Sequence, residues 1–137
     1  MQYMLDTNIC IYVIKRHPAE VLQRLELLRQ GEAVMSVVSH AELRAGLEIQ
    51  TVDRSHDEHV LDLLARRIPV LPFDEAASIS YGLLRAAVRD RRRDALDCLI
   101  AAHAVSVGAI LVTNNEADFK GYPGLQVENW LTPPADH

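Results

Sequence analysis

Gln2-Tyr3-Met4-Leu5-Asp6-Thr7-Asn8-Ile9-Cys10-Ile11-Tyr12-Val13-Ile14 is the stretch that decides the fold. Residues 2 to 5 form a short apolar run without a turn former, the mark of a buried strand. Asp6, Thr7 and Asn8 are residue types that cap the start of a helix, and six apolar residues follow them. Asp6 is therefore expected where a central strand ends and a helix begins. Open α/β sheets bind ligands at that end of their strands. A carboxylate placed there asks for a chemical reason.

Working outward, Pro18 suits a first helical turn, and Ala19 to Gln30 carries Val21, Leu22, Leu25 and Leu28 at helical spacing, with Gly31 placed to end it. Ala33 to Val38 is apolar and β-branched, a second buried strand. Ser39 opens a helix that runs to about residue 52. Ser55 to Arg67 forms another, with Val60, Leu61, Leu63 and Leu64 as its buried face. Two prolines confine Ile68 to Pro72 to a sheet edge. Asp74 caps a long helix reaching Asp90 or beyond, and Asp94 opens Ala95 to Val107, which Gly108 ends. Ala109 to Thr113 is the plainest strand in the chain. Asn114 to Gly121 reads as a loop or short helix, and Leu125 to Val127 as a last strand before a Pro-rich tail. Strands alternating with helices specify an α/β fold, a mainly parallel sheet covered on both sides. Residues 1–137 are expected to form one domain, with 131–137 a flexible tail.

A chain of 137 residues can bury a continuous core without disulfides or structural metals. The formal charge of −5 argues against a broad basic surface but leaves room for a local cationic patch. No apolar run approaches the roughly 18 residues of a membrane span, and no secretory leader is evident, so a cytoplasmic protein is expected. Cys10 and Cys98 lie in apolar surroundings without metal-like spacing, and read as buried free thiols rather than a disulfide.

The acids carry the chemistry. Asp6 ends the first strand, Glu42 falls in the first turn after the second, Asp97 in the first turn after an arginine run, and Asp118 just past the strand ending at Thr113. Parallel strands bring such positions to one rim; Asp97 joins them only if its helix points its start there. Taken singly, some have a structural explanation. Ser39-x-x-Glu42 is a capping box and Asp94-x-x-Asp97 an imperfect one, and helix dipoles favour acids in first turns. Together, crowded carboxylates repel one another and call for a cation. Oxygen ligands with water in the remaining positions suit Mg²⁺ or Mn²⁺. Such an ion supports phosphodiester hydrolysis.

Met4-Leu5-Asp6-Thr7-Asn8, Ser39-x-x-Glu42-Leu43-x-x-Gly46, Asp97-x-Leu99-Ile100-Ala101-Ala102-His103-Ala104 and Val112-Thr113-Asn114-Asn115 resemble the PIN-domain ribonucleases, most closely the VapC toxins of bacterial toxin–antitoxin pairs. The likeness runs from Met4 to Trp130. It implies an α/β/α sandwich around a parallel sheet, an acidic Mg²⁺ or Mn²⁺ site, hydrolysis leaving a 5′-phosphate and a 3′-hydroxyl, a homodimer, and neutralisation by a VapB-type antitoxin. Asp6, Glu42 and Asp97 match the acidic positions of the family. Thr7 and Thr113 match hydroxyl residues that orient the site, and Asn8 lies beside the metal position. Many PIN domains carry a fourth Asp where this chain has Asn115; Asp118, before Phe119, matches the acid that the VapC branch often places ahead of an aromatic. One metal or two is thereby left open. The first motif, with Pro123-Gly124-Leu125 and Glu128-Asn129-Trp130, is similar to members that cut initiator tRNA in its anticodon stem-loop.

Arg85, Arg89 and Arg92 recur at helical spacing, and Arg91-Arg92-Arg93 leads to Asp97. They read either as a phosphate-binding stripe beside the site or as a solvated helix end. Lys15 and Arg16 are weaker candidates for the same role. His56-x-x-His59, among Asp53, Asp57, Glu58 and Asp62, reads as a polar helix face rather than a zinc site. His103 reads as a packed histidine. Leu22, Leu25, Leu61 and Leu64 serve either the core or a groove for an antitoxin helix. With few aromatics, RNA recognition is expected to rest on shape and backbone. Two rival readings are a phosphatase or phosphotransferase of another α/β fold, which usually carries a second Asp where Asn8 stands, and a non-catalytic PIN-like binding domain.

Overall fold

A computed structural model of the chain describes residues 1–50, 52–89 and 94–131. Five strands, β1 (Tyr3–Leu5), β2 (Ala33–Ser36), β3 (Val70–Leu71), β4 (Ile110–Val112) and β5 (Val127–Glu128), form one parallel sheet in the order β3-β2-β1-β4-β5. β1 is central, with Met4 opposite Val34 on one side and Leu111 on the other. The proline-flanked β3 lies at an edge, as its two prolines dictate.

Among the described residues, six helices cover the sheet: α1 (Thr7–Lys15), α2 (Ala19–Glu26), α3 (Val37–Gln50), α4 (Arg54–Arg67), α5 (Glu75–Ala87) and α6 (Ala95–Val107). Side chains alternate across the strands. Met4, Val34 and Leu111 pack with Leu84 and Val88 of the α5 end and with Ile100, Ala101 and Ala104 of α6. Leu5, Met35 and Val112 face the other way, onto Ile9, Val21, Leu25, Leu61 and Leu64 from α1, α2 and α4. The molecule is thus an α/β/α sandwich. Cys10 and Cys98 are buried in opposite layers, neither of them in a disulfide.

Several boundaries differ from those read in the sequence. α2 stops at Glu26 rather than Gln30, because the carbonyls of Leu25 and Leu28 are taken by the Arg67 guanidinium at 2.8 and 3.2 Å. Gly31, at φ +93°, serves the turn into β2 instead of ending the helix. α3 starts at Val37, since the Ser36 hydroxyl accepts the Val38 N–H at 3.0 Å and caps it. Ser39 is therefore inside the helix, its buried hydroxyl without a hydrogen-bond partner, and the expected Ser39–Glu42 capping box does not form. Glu42 falls in the second turn of α3, not the first. α5 ends at Ala87 and Val88, short of Asp90, so Arg89 does not continue a helical stripe from Arg85. Leu131 packs against the α1/α2/α4 core and donates its N–H to Asn129, so it does not belong to a loose tail. Arg91, Arg92, Arg93 and residues 132–137 lie outside the described residues.

Candidate active site

Asp6 directly follows central β1, its backbone N–H donating to Val112 of β4 at 3.0 Å. Its side chain caps α1, accepting the Ile9 N–H at 2.9 Å and that of Asn8. The Thr113 hydroxyl, at the end of β4, also donates to this carboxylate while accepting the Asn115 N–H at 3.0 Å. Asp6 is only 6% exposed, and desolvation raises its pKa more than these donors lower it, with Glu42 adding to the rise. Glu42 reaches across from α3 to accept the Thr7 hydroxyl at 2.5 Å. Strand ends and helix starts thus meet at the carboxyl rim, as the topology requires.

α6 does point its start at this rim. Its cap, Asp94, accepts the N–H groups of Leu96 and Asp97 at 2.7 and 3.3 Å. Asp97 is half-buried, and its pKa is pushed up to about 6, first by burial and then by the charges of Asp94, Asp118, Asp6 and Glu42. Asp6, Thr7, Asn8, Glu42, Asp94, Asp97, Asn115 and Phe119 line one cleft of about 230 Å³. Asp94 was legible in the sequence only as a cap. Its three-residue spacing from Asp97 is the signal that both carboxylates share a side of the first turn.

The remaining candidates fall at different distances from the cleft. Thr113 is fully buried behind Asp6 and acts through it. Asp118 sits exposed on the short 3-10 helix Glu116–Phe119, outside the lining but near enough to raise the Asp97 pKa, whereas Asn115 lines the cleft itself. Arg85 lies in the last turn of α5 and Arg89 beyond it, and neither is part of the lining. His103 is buried, hydrogen-bonded to Ser36 at 2.7 Å and to the Pro72 carbonyl, with Phe73 edge-on; burial lowers its pKa. It is a packing residue. His56 and His59 are exposed on α4, a polar face as expected.

A divalent cation suits this donor set. The cleft offers oxygen ligands, and Asp6 and Asp97 have pKa values raised by burial and by neighbouring carboxylates, which a dication would reverse. Among the described residues no three such side chains close into a cage as they stand. Glu42 is held by Thr7, and Asp6 by Ile9 and Thr113. Mg²⁺ does not need a cage: it keeps several waters and binds through one or two carboxylates.

The PIN domain family matches residues 3–125. The ribonuclease VapC2 of Rickettsia felis is 37% identical over 133 residues, spanning 95% of this chain and 98% of that one. The chain belongs to the PIN-domain family, in its VapC branch. This PIN domain is also 39% identical over 132 residues to the tRNA(fMet)-specific endonuclease VapC of Shigella flexneri, covering 95% of this chain and 98% of the relative. Among solved structures it is similar to the Rickettsia felis VapBC2 complex bound to a promoter DNA fragment, with a TM-score of 0.86, 36% identity, and coverage of 95% and 99%. The VapBC-1 structure from nontypeable Haemophilus influenzae gives a TM-score of 0.87 at 32% identity, covering 96% and 100%. Among the described residues, no helix is long and apolar enough to cross a membrane.

Proposed function

We propose that this PIN domain is a Mg²⁺- or Mn²⁺-dependent endoribonuclease, the toxin of a VapBC-type pair, with tRNA as its substrate. The observation that carries the reading is the gathering of Asp6, Glu42, Asp94 and Asp97 in one cleft at the carboxyl ends of the strands. Asp6, Glu42 and Asp97 would hold the ion, which when bound stabilises charge on the phosphate and lowers the pKa of a water. Thr113 and the α1 N-terminus orient the Asp6 carboxylate, and Thr7 orients Glu42. Asp94 fixes the start of α6 and so the position of Asp97. Held in this way, the acids need little reorganisation around an in-line attack. The relatives named as ribonucleases and as a tRNA(fMet)-specific endonuclease support the substrate class.

The VapBC complexes among the structural neighbours support an antitoxin partner. A groove of about 420 Å³ between α1, α2 and α4, walled by Val13, Ile14, Leu22, Leu63 and Leu64, suits an apolar helix from it. The apolar Ile79 and Leu83, exposed one turn apart on α5, suit the expected homodimer. The test is incubation of the purified protein with total tRNA and Mg²⁺, with the cut ends mapped. Discrete products with 5′-phosphates that vanish in excess EDTA are expected. Cleavage that survives EDTA would refute the mechanism, and a protein that binds RNA without cutting it would favour the non-catalytic rival.

A further inference from the structure

A second depression opens off the acidic cleft. It holds about 310 Å³ between α1, α3 and α4, and it shares Thr7 and Glu42 with the cleft. The rest of its lining is mainly aliphatic, made by Ile11, Ile14, Leu43, Leu47, Val60 and Leu61. Lys15 and Asp57 also belong to its lining, so an ammonium and a carboxylate stand beside an apolar slot.

Gly46 lines the same groove, in the interior of α3. A glycine in a helix interior costs about 1 kcal/mol relative to alanine. Neither usual reason for accepting that cost applies here. Gly46 is not among the glycines with positive φ, and a Cβ built on it meets nothing within 4 Å. The local fold would accept a side chain at this position. What the glycine provides is an open groove wall next to the residues of the acidic cleft.

We infer that this groove is a subsite for one unstacked nucleotide flanking the cut, and that Gly46 keeps it open as a specificity-determining position. The inference rests on the ribonuclease reading. A base taken out of its stack presents apolar faces and a polar edge, which suit aliphatic walls and a few polar groups. Asp57 can accept from an exocyclic amino group, and Lys15 matches the adjoining phosphate. Continuity with Thr7 and Glu42 favours RNA over a protein occupant, since whatever enters the groove lies against the cutting site. The apolar helix of a partner has the larger α1/α2/α4 groove available, which meets this one at Ile14 and Val60.

The test uses an RNA that the wild type cuts, synthesised with each of the four bases in turn on either side of the cut. The wild type should prefer certain bases on one side. Gly46→Leu fills the groove and should lower kcat/KM for the preferred base at least tenfold and level the preference, with Mn²⁺ affinity unchanged. Lys15→Gln should keep the preference and reduce the salt slope of RNA binding by about 0.7. If Gly46→Leu fails to fold, Gly46→Ala, which helix propensity favours, should show the same loss of preference on a smaller scale. A wild type indifferent to both flanking bases, or Gly46 variants with the wild-type base profile, would overturn the inference while leaving the ribonuclease intact. Gly46→Leu that keeps the profile but no longer co-purifies with its antitoxin would assign the groove to the protein partner and overturn it equally. A wild type that cuts no RNA in Mg²⁺ or Mn²⁺ removes the ribonuclease reading, and this one with it.

Discussion

Asp97→Asn is expected to stabilise the metal-free fold, although it removes a residue of the acidic cleft. Burial and four neighbouring carboxylates push the Asp97 pKa from 3.8 up to about 6. Below the unfolded value, both folded and unfolded chains hold the proton and the site carries no charge penalty. Between the two values the folded chain binds the proton more tightly, so stability falls as pH rises; above about pH 6 the whole penalty is present. A shift of about two units corresponds to roughly 3 kcal/mol. Asp97 is partly exposed and screened by solvent, so about half of that is realistic, and the α6 dipole, which favours charge in its first turn, offsets about 0.5 kcal/mol more. The substitution should therefore add about 1 kcal/mol near pH 7.5 and almost nothing near pH 4. Urea unfolding of wild type and variant, in EDTA at both pH values, measures this difference directly. Added Mg²⁺ should then stabilise the wild type and not the variant. A variant less stable than wild type near neutrality, or a difference that does not change with pH, would refute the electrostatic account of the cleft.

Three further outcomes separate the roles of neighbouring residues. Asp94→Ser keeps an oxygen to cap α6, so stability should hold within about 0.5 kcal/mol and RNA cleavage should survive; a loss of cleavage would show that the Asp94 carboxylate does more than cap. Asp118→Asn should lower the Asp97 pKa, observable by NMR titration of the carboxyl carbon, and an unmoved titration would show that Asp118 is too remote to assist the site. His103→Ala opens a buried space and leaves Ser36 short of a partner, so it should cost about 2–4 kcal/mol. RNA cleavage per folded molecule should survive that loss, and its disappearance would make His103 more than a packing residue.

Much of this was legible in the sequence because strand ends are written in residue type. The switch from an apolar run to Asp6-Thr7-Asn8 located the β1–α1 corner, and Asp94 and Gly108 marked both ends of α6 correctly. Boundaries failed where a long-range contact decided them. Nothing near Leu28 announces that Arg67 takes the carbonyls at the end of α2. Ser36 and Ser39 offer the same hydroxyl, and the choice of Ser36 as cap depends on where the sheet releases the chain. Asp6, Glu42 and Asp97 could be picked out from motifs, and the structure brings them to one cleft. That Asn115 lines the cleft while Asp118 stands outside it follows from the curl of the 3-10 helix, which no spacing rule anticipates. Asp94 was visible only as a cap, because the convergence of four acids is a property of the assembled rim.

The most direct test is an electron paramagnetic resonance titration of the metal-free protein with Mn²⁺, run on wild type and on Asp6→Asn, Glu42→Gln and Asp97→Asn. Saturable binding by the wild type that weakens in each of the three variants is the predicted result. Absence of saturable binding, or binding that all three variants retain unchanged, would contradict the claim that these carboxylates act together on one cation.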